Sequence, residues 1–288
     1  MNRTLNLACG AMRCELAPLL GGAIAGLWHD GVPVLRSTPA AQLRSVRESA
    51  SYPLVPYSNR IGLGALPWAG ARYRLTHNFA PEPHAIHGVG WQRPWTVLQA
   101  QADYAELSLQ HEPDDSWPFA FHCSQSFRLA PDHLTLGLQV TNRSECAAPV
   151  GLGWHPYFVK RPSAHLRFAA GGRWEMGDDK LPTVRQPLAG MDTDCATLDV
   201  DHCFDGWVNA LQLRDTLLCT TVRSSLRHLV VFTNPQRDFV AIEPVSHVNN
   251  ALQLAERLLC PVQALGVQIL QCGESLSAHM DITVVRSR

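Results

Sequence analysis

No cysteine of this chain stands in a CxxC pair, although nine are present. Their odd number and scattered positions argue against a disulfide framework and a structural zinc site, so free thiols are expected. No apolar stretch approaches the roughly 20 residues of a membrane span. The opening segment, MNRTLNLACGAMRCELAP, has no apolar core of signal-peptide length, and a cytoplasmic location without a membrane partner is expected. Charge of one sign does not dominate either: 24 Lys plus Arg stand against 25 Asp plus Glu, so no net field draws in nucleic acid. A neutral small molecule such as a sugar suits that balance. Helical periodicity is scarce, its best candidate being Ala251 to Leu258, too brief to organise a fold. No βαβ rhythm, internal repeat or low-complexity linker is visible.

What is present is a strand pattern. With 46% hydrophobic and 17% charged residues, the chain is able to bury a sizeable core, and one domain over residues 1–288 is expected. Leu134, Leu136, Leu138 and Val140 alternate with Thr135, Gly137 and Gln139, the period of a half-buried antiparallel strand. Ala130-Pro131-Asp132-His133 links it as a turn to Ser124 to Leu129, making a hairpin. Similar runs at Tyr104 to Gln110, Leu229 to Thr233, Phe239 to Ile242, Leu265 to Leu270 and Leu276 to Val285 predict an all-β fold, a large antiparallel β-sandwich.

Four segments depart from the alternation. In Tyr52-Pro-Leu-Val-Pro-Tyr-Ser-Asn-Arg-Ile-Gly62, two prolines stiffen the approach to Asn59 and Arg60, whose planar donors suit sugar hydroxyls or simply brace a loop. His84-Ala-Ile-His87-Gly-Val-Gly-Trp91 supplies two imidazoles and an aromatic beside glycines that admit a ligand to the backbone. A metal there lacks a third ligand of recognisable spacing. Gly151-Leu-Gly-Trp-His155-Pro-Tyr-Phe158 sets His155 before a proline that favours extended backbone. Alone, such a His in apolar company is more often a satisfied core residue than an acid, so the segment gains weight only from its partners. Phe239-Val-Ala-Ile-Glu243-Pro ends an apolar strand on a carboxylate and is expected to stop the ladder at Pro244. Partial burial there would raise the carboxyl towards a useful base.

Taken in order and spacing, these segments resemble the aldose 1-epimerase family, which carries Asn-Arg, His-Gly, His-Pro-Tyr-Phe and a late Glu. The resemblance covers nearly the whole chain and implies a galactose mutarotase-like supersandwich. Arg60 looks like the family's sugar-binding Arg, His87 like its first active-site His and His155 like its general acid. Asp201 in Asp-His-Cys-Phe is similar to its hydroxyl-binding acid and Glu243 to its general base, with Asn249 in the trailing Asn-Asn-Ala segment. Galactose mutarotases themselves tend to have Asn-His-Xaa-Tyr-Phe and Glu-Thr where this chain has Trp-His-Pro-Tyr-Phe and Glu-Pro. The Arg-centred pattern of hexose-6-phosphate epimerases is not evident in the linear motifs, while Arg36, Arg44 and Arg47 are available to form one in space.

The resemblance implies exchange of the α and β anomers of a free aldose. Glu243 takes the C1 hydroxyl proton as His155 protonates the ring oxygen, and no cofactor or metal is required. His87 and Arg60 would orient the sugar and Asp201 accept from its hydroxyls. Trp91 and Trp154 are either stacking platforms for the pyranose or core aromatics. A monomer or homodimer with a sugar as its partner is expected. The alternatives are a non-catalytic carbohydrate-binding sandwich, an epimerase of a phosphorylated hexose, and a glycoside hydrolase using Asp201 and Glu243.

Overall fold

A computed structural model describes residues 4–208 and 210–287. The alternating runs build two large antiparallel sheets. The nine-stranded one contains the expected hairpin: Phe121–Leu129 pairs with His133–Asn142, with Ser124 opposite Gln139 and Leu129 opposite Leu134. Leu134, Leu136, Leu138 and Val140 are buried on its inner face, and Gln139 is exposed on the outer. The C-terminal strand Ser275–Arg286 lies on the other side of His133–Asn142, so residues distant in the chain complete the sheet. Burying each such Leu or Val contributes about 1.5–3 kcal/mol, and this buried row fixes the register because a one-residue slip would turn it outwards.

The second sheet has eight strands, among them Val200–Asp205, His228–Thr233, Phe239–Val245 and Tyr157–Val159. Every residue of Phe239–Val245 is buried, since both faces of this strand are covered. Inner side chains of the two sheets, including Phe127, Leu136 and Met280 with Phe204, Val231 and Ile242, share one core cluster. A four-stranded sheet, Leu5–Cys9 through Val32–Pro33, adds Leu7, Met12 and Leu27 to that core. The helix Ala251–Leu258 has the expected bounds, and it buries Leu252 and Leu254. All nine cysteines are free thiols, and among the described residues no helix is long and apolar enough to cross a membrane.

Two local expectations are corrected. Pro244 does not stop its strand, which runs to Val245 with Pro244 opposite Leu229 and Val245 opposite His228. A proline removes only its own N–H from a ladder, and its φ is compatible with extended backbone. Leu265 closes the short 3-10 turn Val262–Leu265, and the strand begins only at Gln268. Gly266, at φ +91, reverses the chain between them, against the carbonyl of Ser246, leaving no room for a side chain.

Candidate active site

Opposed residues on adjacent antiparallel strands share a face, as do residues two apart along one strand. Asp201 opposes Phe232, Phe232 and Tyr157 both oppose Ala241, and Glu243 opposes Val230. Tyr157, Asp201, Phe232, Phe239 and Glu243 therefore lie on one face of the eight-stranded sheet. They floor a cavity of about 340 Å³, whose walls include Asn59, Arg60, Phe79, Glu82, His87, His155 and Lys180. That volume falls within the roughly 300–1,000 Å³ of small-molecule sites.

The wall carrying Asn59, Arg60 and His87 is set by a short pairing of Arg60–Ile61 with Ala85–Ile86. Asn59 and His87 both hold left-handed backbone, φ +54 and +63, and bind each other reciprocally. Asn59 N donates to His87 Nδ1 at 3.1 Å, and His87 N donates to the Asn59 carbonyl at 2.8 Å. Because Nδ1 accepts, the ring proton of neutral His87 sits on Nε2 as a donor. Burial first, then the charges of His155 and Arg60, hold His87 well below the ordinary imidazole range. Asn59 Oδ1 accepts from Arg60 N at 3.0 Å and from Arg60 Nη1 at 3.4 Å. The same guanidinium meets Glu82 at 3.3 Å, and Lys180 Nζ meets that carboxylate at 2.6 Å. Burial opposes ionisation of Glu82, but Lys180 and Arg60 outweigh it and keep the carboxyl below its usual range.

His155 Nε2 lies 3.1 Å from Glu243 Oε1, both side chains nearly sealed from solvent at 9% and 3% exposure. Burial lifts the Glu243 carboxyl well above the carboxylate range; Asp201 adds to this and Arg60 opposes it. Burial also pulls His155 down, and the Arg36 charge adds to that. Desolvation penalises the charge on either group, so burial pushes both towards their neutral forms. His155 belongs to a ring column: Trp91 stacks on Tyr52 at 5.4 Å, Tyr52 lies 4.8 Å from His155, and His155 lies 4.4 Å from Tyr157. The hydroxyls of Tyr52 and Tyr157 are 3.1 Å apart, which locks the column.

Of the residues singled out from sequence, the cavity gathers Asn59, Arg60, His87, His155, Asp201 and Glu243. It does not gather three others. Trp91 and Trp154 are 1% exposed core residues. Trp91 stands behind Tyr52 with Nε1 bonded to the Gly88 carbonyl, so it has no face for a sugar. Asn249 is fully buried, and neither amide atom has a partner among the described residues. Arg36 and Arg47 line the cavity, but Arg44 does not. His84 has both nitrogens committed to backbone, accepting from Leu63 N and meeting the Asp179 carbonyl, which makes it structural. Tyr157, Phe232, Phe239, Glu82, Lys180 and Arg237 line the cavity and were missed. The sheet residues among them join Asp201 and Glu243 through register: Phe232 opposes Asp201, Phe232 and Tyr157 both oppose Ala241, and Phe239 lies four residues before Glu243 on the same strand, relations readable only once the register is known.

A sequence profile described as aldose 1-epimerase matches residues 7–283. The Escherichia coli K12 protein YphB, described as uncharacterized, is 33% identical over 168 residues, 58% of this chain and 56% of its own length. E. coli YihR, also described as uncharacterized, is 24% identical over 279 residues, covering 89% of this chain and 88% of its own. Among solved structures, a putative aldose 1-epimerase of E. coli K12 superposes with TM-score 0.88 at 24% identity over 99% of both chains. A galactose mutarotase-like protein of Clostridium acetobutylicum gives 0.84 at 18% identity over 98% and 95%.

Proposed function

This chain belongs to the aldose 1-epimerase family, and from that premise and the cavity we propose that it exchanges the anomers of an aldose by ring opening and closure. The observation that carries the reading is the buried contact of His155 Nε2 with Glu243 Oε1, at 3.1 Å, in a sugar-sized cavity. In the proposed reaction the sugar's C1 hydroxyl and ring oxygen replace that direct contact. Glu243, as carboxylate, takes the hydroxyl proton, while His155, as imidazolium, protonates the ring oxygen and the C1–O5 bond breaks. Rotation about C1–C2 presents the other carbonyl face, and closure returns both protons. The reacting ion pair and the neutral pair differ only by a proton moved from one partner to the other, so no proton need come from solvent. Arg60 and the Nε2–H of His87 would donate to sugar oxygens, and Asp201 would accept from hydroxyls. Placed acid and base groups contribute about 10²–10⁴-fold each.

The test is polarimetry of freshly dissolved α-D-galactose, α-D-glucose and charged aldoses, with wild type and Glu243→Gln at matched concentration. Acceleration by wild type that the variant loses, with sugar binding retained, is the expected result. Binding without acceleration of any aldose would instead identify a carbohydrate-binding sandwich.

A further inference from the structure

Five cationic side chains line the cavity, against three carboxylates. Arg60 and Lys180 share Glu82, and Asp201 and Glu243 are committed to the hydroxyls and the proton transfer. That leaves Arg36, Arg47 and Arg237, none of which makes an ion pair among the described residues. Three guanidinium groups lining one cavity repel one another and give a neutral sugar nothing that hydroxyl partners would not.

Each of the three rests on an aromatic ring. The Arg36 guanidinium lies 3.9 Å from the Tyr157 ring centre and 5.3 Å from that of Phe239. Arg47 lies 3.9 Å from the Phe79 ring, and Arg237 lies 5.8 and 5.7 Å from Phe232 and Phe239. Arg36 is further pinned by Nη2, which donates to the carbonyls of Arg47 at 2.6 Å and Ser49 at 2.7 Å, while its buried Nε has no partner among the described residues. A guanidinium held by its face on a ring keeps its in-plane N–H donors for an oxyanion.

We propose that Arg36, Arg47 and Arg237 form an anion subsite, and that the substrate is an aldose carrying a phosphate or sulfonate group on its exocyclic carbon. This rests on the epimerase reading for the reaction, but the subsite itself is a matter of binding. An anion there also offsets the Arg36 charge that disfavours protonated His155, so seating the substrate favours the acid form.

The two readings are separated by testing binding and turnover independently. Calorimetry compares 1,5-anhydroglucitol 6-phosphate with 1,5-anhydroglucitol, neither of which has an anomeric hydroxyl, on wild type, Arg47→Gln and Arg237→Gln. Both side chains are exposed, and circular dichroism confirms that the variants fold. The phosphate is expected to bind at least about tenfold tighter than the neutral compound, more weakly as salt rises, with that lead cut about tenfold by either variant. Equal affinities, or a lead untouched by both variants, would overturn the subsite. Polarimetry on glucose, glucose 6-phosphate, the 6-sulfonate and glucuronate then gives the turnover ratios. A preference for the phosphate or the sulfonate supports the proposal and tells the two anions apart. A preference for glucuronate or for the neutral sugar overturns it while leaving the epimerase reading intact. Tight phosphate binding with no turnover of any sugar leaves the subsite standing and removes the epimerase.

Discussion

His155 Nε2 and Glu243 Oε1 stand 3.1 Å apart, held there by a backbone bond in which Ile242 N donates to the Pro156 carbonyl at 3.2 Å. The residue after the imidazole is thus tied to the residue before the carboxylate. Two groups that each resist charge when buried are held in contact as one unit, and the expected behaviour of variants follows from that contact.

Replacing either member removes the unit. Glu243→Gln and His155→Gln should each lower kcat by about 10²–10⁴-fold, and the double variant by little more than the worse single one. Single-turnover polarimetry of the three proteins checks this. Multiplicative losses would mean that the two groups act in separate steps.

The pair also sets a pH dependence of stability. Glu243 is raised in the folded state, so its contribution is present below its unfolded pKa, about 4.3, and is lost as pH rises through the folded value. His155 is depressed, so its contribution is present above its unfolded pKa, about 6.5, and is lost as pH falls. Between these limits the two slopes cancel, leaving a plateau. Glu243→Gln should abolish the alkaline fall, so the variant gains on wild type as pH rises from about 6.5 to 9. Melting temperatures measured across that range show this, and parallel curves would refute it.

Asn59 supplies both a left-handed backbone and an acceptor for Arg60. An alanine loses the acceptor and keeps the strain, costing about 1–3 kcal/mol, whereas glycine relieves about 1–2 kcal/mol of that strain. Denaturant titration should therefore rank wild type above Asn59→Gly, and Asn59→Gly above Asn59→Ala. Both variants should raise KM through a loosened Arg60. Equal stability of Gly and Ala would show that the backbone conformation is not held in solution.

Trp154, a fully buried aromatic outside the cavity lining, should matter to stability alone. Trp154→Ala is expected to cost about 3–5 kcal/mol by leaving a void, with KM unchanged when measured well below the unfolding midpoint. A rise in KM at unaltered stability would return this residue to the sugar.

Much of this was legible in the sequence because it is local. The alternation of Leu134, Leu136, Leu138 and Val140 specifies a strand with one buried face, and the Pro131-Asp132 turn specifies its hairpin partner. Asn59 with Arg60, His87, His155 and Glu243 stood out because each interrupts an apolar pattern with polar groups beside Gly or Pro. Trp91 and Trp154 show the limit, since a Trp next to a candidate His reads alike whether it faces a ligand or a core. The Pro244 expectation fell for a related reason, as the cost of a proline depends on which partner strand its missing N–H would have met.

The sequence by itself determined an all-β chain, the hairpin and the short helix, and which titratable side chains interrupt the strand pattern, because strand period, turn chemistry and side-chain type are properties of a few neighbouring residues. Tertiary structure alone decided that Tyr157, Asp201, Phe232, Phe239 and Glu243 share one face, that Tyr52 rather than Trp91 backs His155, and that Arg237 joins Arg36 and Arg47 at the same cavity. Those relations depend on strand register across distant parts of the chain, which is fixed by how the buried faces of whole sheets fit together.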